Sequence, residues 1–194
     1  MKAKISLSWL GLCAYALILP VAEAHTFGAQ GAGLAAGLAH PFLGLDHLLA
    51  MIAVGIWAGQ LGGRPVWLVP LTFASVMSAA AALGSFGITL PMVEPAIACS
   101  VLVLGLLIAG SVRLPAIASV GIVGLFAVFH GYAHGLELPQ AASPILYGIG
   151  FVLATSLLHG LGIGFARSSR QYKMIQRLAG CSLIVASGLL LAAA

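Results

Sequence analysis

The chain has 194 residues, of which 61% are apolar and only 6% charged. Soluble domains carry roughly 25% charged residues, so this composition excludes a water-soluble globular protein and points to an all-α membrane protein. The formal net charge is only +4, and no basic face is interleaved with aromatics, which argues against nucleic acid as a partner.

In chain order, residues 1–24 read as a secretory signal peptide. Lys2 and Lys4 form its basic end, Leu7 to Val21 its apolar stretch, and Ala22-Glu23-Ala24 an A-x-A cleavage site. An uncleaved anchor is the alternative. Cleavage after Ala24 leaves His25 as the new N-terminus, where its α-amine and imidazole could chelate a metal together. Residues 25–194 are expected to form one six-helix transmembrane domain, with spans near 31–59, 66–84, 95–110, 115–133, 144–166 and 174–193. A helix needs about 20 residues to cross the hydrocarbon, so the third span is short and the first long. Pro41 lies in the first, where it removes a backbone hydrogen bond and should bend or break the helix.

The 25 glycines suit close helix packing in lipid. Small residues recur at four-residue spacing in Gly33/Gly37, Gly55/Gly59, Gly131/Gly135 and Gly160/Gly164. The three cysteines form no CxxC pair: Cys13 belongs to the leader, and Cys99 and Cys181 read as buried free thiols.

The charges test the topology independently. With the leader cleaved outside, the mature N-terminus is external, and six crossings return the C-terminus to the same, periplasmic side. The inside loops are then 60–65, 110–114 and 167–173. Arg64, Arg113, Arg167, Arg170, Lys173 and Arg177 all fall inside or at an inside helix end, whereas Glu94 and Glu137 fall outside. Every mature Lys and Arg therefore obeys the positive-inside rule. The two three-helix halves have opposite orientations and both open with a His-rich helix, as an inverted repeat would.

Two constellations carry chemistry. The first is His40-x5-Asp46-His47 with Met51 four residues on. Ionisable groups in hydrocarbon cost about 2.5–3.5 kcal/mol on insertion scales, so the simplest reading is that they bind something charged; hydrogen bonds to adjacent helices are the alternative. On a continuous helix His40 and His47 share a face, as do His47 and Met51. Asp46 is rotated by about 100°, toward a neighbouring helix or back onto an imidazole, either as a ligand or as a carboxylate orienting a ligating histidine. The second is Phe129-His-Gly-Tyr-Ala-His-Gly-Leu-Glu137. It places His130, His134 and Glu137 on one helical stripe, with the i, i+4 histidine spacing of helical zinc sites. His159 lies toward the inner half of the fifth span, where it reads equally as an exit ligand or a satisfied core histidine. Glu94, between Pro91 and Pro95, either attracts cations at the entrance or is a solvated loop charge. Phe73 receives no role from its surroundings in the sequence.

Imidazole and carboxylate donors suit nickel, cobalt or zinc better than copper(I), magnesium or calcium. No P-loop is present, so ATP hydrolysis by this chain is not expected, and movement of an ion must be downhill, driven by the potential or ions, or depend on partners. The ion is expected as a transported substrate, with no tightly bound cofactor, and an enzyme is not expected. A membrane haem protein with histidine axial ligands and an intramembrane metalloenzyme remain as alternatives.

The segments HPFLGLDHLLAMIAVGIWA (His40 to Ala58) and FHGYAHGLE (Phe129 to Glu137) resemble the two signature motifs of the HupE/UreJ family. These are small bacterial membrane proteins associated with hydrogenase and urease maturation. The likeness extends to the leader, the six spans and the His-containing fifth span. It implies nickel permeation across the bacterial inner membrane, with cobalt as a further candidate, and roles for Phe73 and Glu94. It leaves the hydrogenase and urease branches unseparated. The expected partners are the metal ion and the lipid bilayer; a homo-oligomer and contacts with hydrogenase or urease maturation proteins are left open.

Overall fold

The computed structural model describes residues 29–86, 88–137 and 143–193. The expected signal peptide, with Cys13, and His25 lie outside the described residues. Seven helices account for nearly all of the rest: α1 Ala29–Leu43, α2 Leu45–Leu61, α3 Pro65–Ser85, α4 Val93–Ala109, α5 Ala116–Leu136, α6 Pro144–Ser168 and α7 Lys173–Ala193. Among the described residues there is no strand.

Four helices, α3, α5, α6 and α7, are long and apolar enough to cross a membrane. Helices α1 and α2 pass the same test together but meet at an angle of 83°. Helix α4 has 17 residues, about 26 Å of helix against a hydrocarbon core of about 30 Å. Large apolar side chains such as Trp67, Ile117, Ile145 and Leu189 point outward, as they must where the surroundings are lipid. The chain is a multi-helical membrane protein.

The expected long first span is therefore broken, and at Gly44 rather than at Pro41. Pro41 stays inside α1, near its end, where the missing N–H deprives only one carbonyl of its donor. Gly44, with φ −98° and ψ 116°, takes the chain out of the helix and starts α2. This break overturns the expectation that His40 and His47 share one helical face, because the two residues now belong to different helices.

Glycines set the helix crossings. A Cβ at Gly131 or Gly135 of α5 would collide with the backbone carbonyls of Met77 and Ala81 on α3, so these two helices touch backbone to backbone. Gly37 of α1 and Gly55 of α2 meet α6 in the same way, at Tyr147 and His159. The expected fourth pair differs: Gly160 and Gly164 face open space, and it is Gly150 and Gly162 that form the α6 side of these crossings. Cys99 and Cys181 also depart from expectation, since both thiols are free and exposed on the outside of the bundle. In lipid an outward apolar thiol costs nothing, so an apolar run does not imply burial.

The principal pairs are α3 with α5, α1 and α2 with α6, and α4 with α7. Exchanging α1 to α4, with α1 and α2 taken together, for α5 to α7 converts α3·α5 into α6·α2 and leaves α4·α7 unchanged. This is the pairing that an inverted repeat requires. From α2 onward successive helices alternate in direction, which gives the bundle two distinct ends. Asp46, Glu94 and Glu137 mark one, and Arg113, Arg167 and Lys173 mark the other.

Candidate functional site

The histidines of the two motifs converge from three helices, α1, α2 and α5, into one column. At the acidic end, Glu137 closes α5 as the residue after its last turn. Its Oε2 lies 2.9 Å from His40 Nε2 and 3.7 Å from His134 Nδ1. One donor atom from each of the three residues falls within 4.8 Å of the others, which is close enough for a single ion to touch all three. The His134 and His40 imidazoles facing it hold the Glu137 carboxyl well below the usual carboxylate range. The expected stripe of His130, His134 and Glu137 is thus regrouped: Glu137 and His134 join His40, and His130 lies one step deeper. The reason is the register of α1 against α6, fixed at Gly37, which brings His40 over the end of α5.

Below this triad the rings stack by edges. His134 lies 4.7 Å from His40 and 4.3 Å from His47, and His47 lies 4.9 Å from His130, between ring centroids. Contacts of this kind leave no slot for a porphyrin plane between these imidazoles. Phe73, wholly buried, continues the column with its ring 5.5 Å from both His130 and His159. His159 is the last imidazole, toward the basic end of α6.

The hydrogen bonds decide which ring nitrogens are free. Asp46 Oδ1 accepts from both the backbone N–H and Nδ1 of His47 at 2.8 Å. With Nδ1 donating, His47 Nε2 keeps its lone pair, and that atom is buried without a partner. Asp46 is therefore the orienting carboxylate, turned back onto the adjacent imidazole. For His130 the argument runs through Ser100. The Ser100 hydroxyl donates its one proton to the Ile97 carbonyl at 2.7 Å, so at 2.9 Å it must accept from His130 Nε2. That fixes His130 Nδ1 as the lone-pair nitrogen, again buried and unpartnered. Neither nitrogen of buried His134 has a hydrogen-bond partner, and His159 Nε2 has none. Buried polar atoms normally find partners, so this succession of buried imidazole nitrogens without hydrogen bonds leaves lone pairs that a cation could occupy.

Met51 lies fully buried on α2, and its sulfur accepts from the Thr155 hydroxyl at 3.4 Å. Glu94 is exposed in the first turn of α4 and forms no ion pair among the described residues. A cavity of about 250 Å³ between α3, α5 and α6 has His134, Tyr147 and Phe151 in its wall. The Phe151 ring centroid is 4.2 Å from that of His134, and the Tyr147 ring packs edge-on against His40 at 5.7 Å. Ser100, Thr155, Tyr147 and Phe151 escaped the reading of the sequence. Each lies in an ordinary apolar run and acquires its contact only through helix packing.

The HupE / UreJ protein family matches residues 13–191 of this chain. The chain belongs to the HupE/UreJ family. It is also 49% identical over 179 residues to Protein HupE of Rhizobium leguminosarum bv. viciae, an alignment covering 91% of this chain and 93% of that protein. No solved structure matches. As a HupE/UreJ member it carries both motif histidine sets within the matched region, and the structure draws them from separate motifs into the single column described above.

Proposed function

We propose that this protein is a permease that carries a divalent transition-metal ion, nickel or cobalt, into the cell across the bacterial inner membrane. The observation that supports this reading is the column of buried imidazoles with unpartnered ring nitrogens, running from a carboxylate-capped triad toward the basic end. The ion is received by His40, His134 and Glu137, passes to His47 and His130, and leaves past Phe73 and His159. Donors of this type favour nickel, cobalt or zinc over harder cations. In this reading the bent pair α1–α2 and the short α4 are both spans, giving six crossings after removal of the signal peptide. Both termini are then periplasmic and the arginine-rich end is cytoplasmic, as the positive-inside rule requires. The ion is cargo, and no reaction is catalysed; the metal supplied serves hydrogenase or urease maturation.

The test is uptake of radioactive nickel and cobalt into proteoliposomes, with and without imposed pH and voltage gradients. Saturable uptake that is abolished in His47→Ala is expected. Uptake by His47→Ala equal to that of the unaltered protein at limiting metal would defeat the proposal.

A further inference from the structure

At the basic end the turns following α2, α4 and α6 surround a second cavity, of about 750 Å³. Arg113, Arg167, Arg170, Lys173 and Arg177 all line it, and no carboxylate does. The three ion pairs among the described residues are His40–Glu137, Asp46–His47 and His134–Glu137, all at the opposite end. Arg113 precedes α5 and Glu137 follows it, so about 31 Å of helix separates these cations from the nearest such carboxylate on that chain segment. The positive-inside rule accounts for cations at this end of the bundle. It does not account for five of them around one cavity with no acid among them, an arrangement that repels itself unless an anion is shared.

The cavity is built, not merely charged. Its floor is an amide network in which Gln60 Nε2 donates to Gln176 Oε1 at 3.0 Å and to the Ile108 carbonyl at 3.2 Å. Gln176 Nε2 in turn donates to the Ala166 carbonyl at 2.8 Å and to Ser169 Oγ at 3.1 Å. This ties the ends of α2, α4, α6 and α7 together and fixes where the guanidinium-bearing turns stand. Gln60 also lines the cavity, and its Oε1 is a buried acceptor without a partner.

We propose that this cavity is a binding site for a phosphate-bearing anion, held by the arginine and lysine side chains that line it. Guanidinium groups match phosphate oxygens in paired geometry, and basic pockets between membrane helices at one interface are suited to anionic headgroups. The phosphate can come from a glycerophospholipid headgroup or from free phosphate in solution. The site is independent of the metal column, and it tests separately.

The full chain, purified in a nonionic detergent and stripped of lipid, would be titrated calorimetrically with short-chain phosphatidylglycerol, with the matching phosphatidylcholine, and with inorganic phosphate. Phosphatidylglycerol is expected to bind, with affinity falling about fivefold for each cation removed in Arg167→Gln and in the Arg167→Gln/Arg170→Gln pair. Arg64→Gln, a nearby cation outside the lining, should bind as the unaltered protein does. Inorganic phosphate binding with the same variant sensitivity would assign the site to free phosphate; its absence would assign it to lipid. Should the double variant fail to elute as a single species, Arg113→Gln and Lys173→Gln, on separate turns, carry the same comparison. Phosphatidylcholine binding as tightly as phosphatidylglycerol, or phosphate-ligand affinities unchanged in all of these lining variants, would overturn the proposal.

Discussion

An imidazole ligates through an unprotonated nitrogen, so the partner of its other nitrogen decides where it can bind. Asp46 does this for His47. Asp46→Asn keeps the shape but offers a weaker acceptor whose amide can also turn its NH2 toward Nδ1. Loss of such an orienting carboxylate typically costs about 10–100-fold in metal affinity, and nickel binding to the purified variant should fall within that range. Ser100 sets the tautomer of His130 by the same logic, without any charge. Ser100→Ala removes the acceptor for Nε2 and frees the ring to present either nitrogen, which should slow nickel uptake by up to about tenfold. Ser100→Thr keeps the hydroxyl and should restore the rate. Normal uptake by Ser100→Ala would mean that the tautomer of His130 is immaterial.

At the scale of elements, the turn between α1 and α2 is the feature most exposed to substitution. A methyl group at residue 44 would stand 2.9 Å from Asp46 Oδ1 and 3.1 Å from His47 Nδ1, against the very hydrogen bond that orients His47. Gly44→Ala should therefore insert and fold but lose nickel affinity to about the extent of Asp46→Asn; an unchanged affinity would show that the turn has slack. The polar residues of the site were legible in the sequence because a carboxylate or imidazole is conspicuous in an apolar run. Their grouping was not. His40 and Glu137 are 97 residues apart, and they meet because Gly37 packs on Tyr147 and Gly135 on Ala81, contacts that no local spacing encodes. The break point was misplaced for a related reason: proline announces a lost hydrogen bond, but the chain turns at Gly44, whose missing Cβ leaves room for the Asp46–His47 hydrogen bond.

For the whole molecule, the column divides into a triad at the mouth and single imidazoles below it. Glu137→Ala combined with His134→Ala should be markedly non-additive in nickel affinity, because both would touch one ion. Glu137→Ala combined with His159→Ala should be nearly additive, since Phe73, His130 and His47 intervene. Equal coupling in both pairs would mean that the column acts as a single site.

The turn at Gly44 bears, finally, on the water that an arriving ion must shed. Three donors at the mouth replace only part of a hydration shell. Ending α1 at Leu43 deprives the carbonyls of its last turn, His40 to Leu43, of their helical N–H donors, and Pro41 does the same to the Gly37 carbonyl. These oxygens belong to the same stretch of chain as His40. Carbonyls released from regular structure are the means by which channel filters substitute for water around a cation. Under the proposed function, carbonyls released in this way are candidates to replace water, one coordination position at a time, around an ion held at His40.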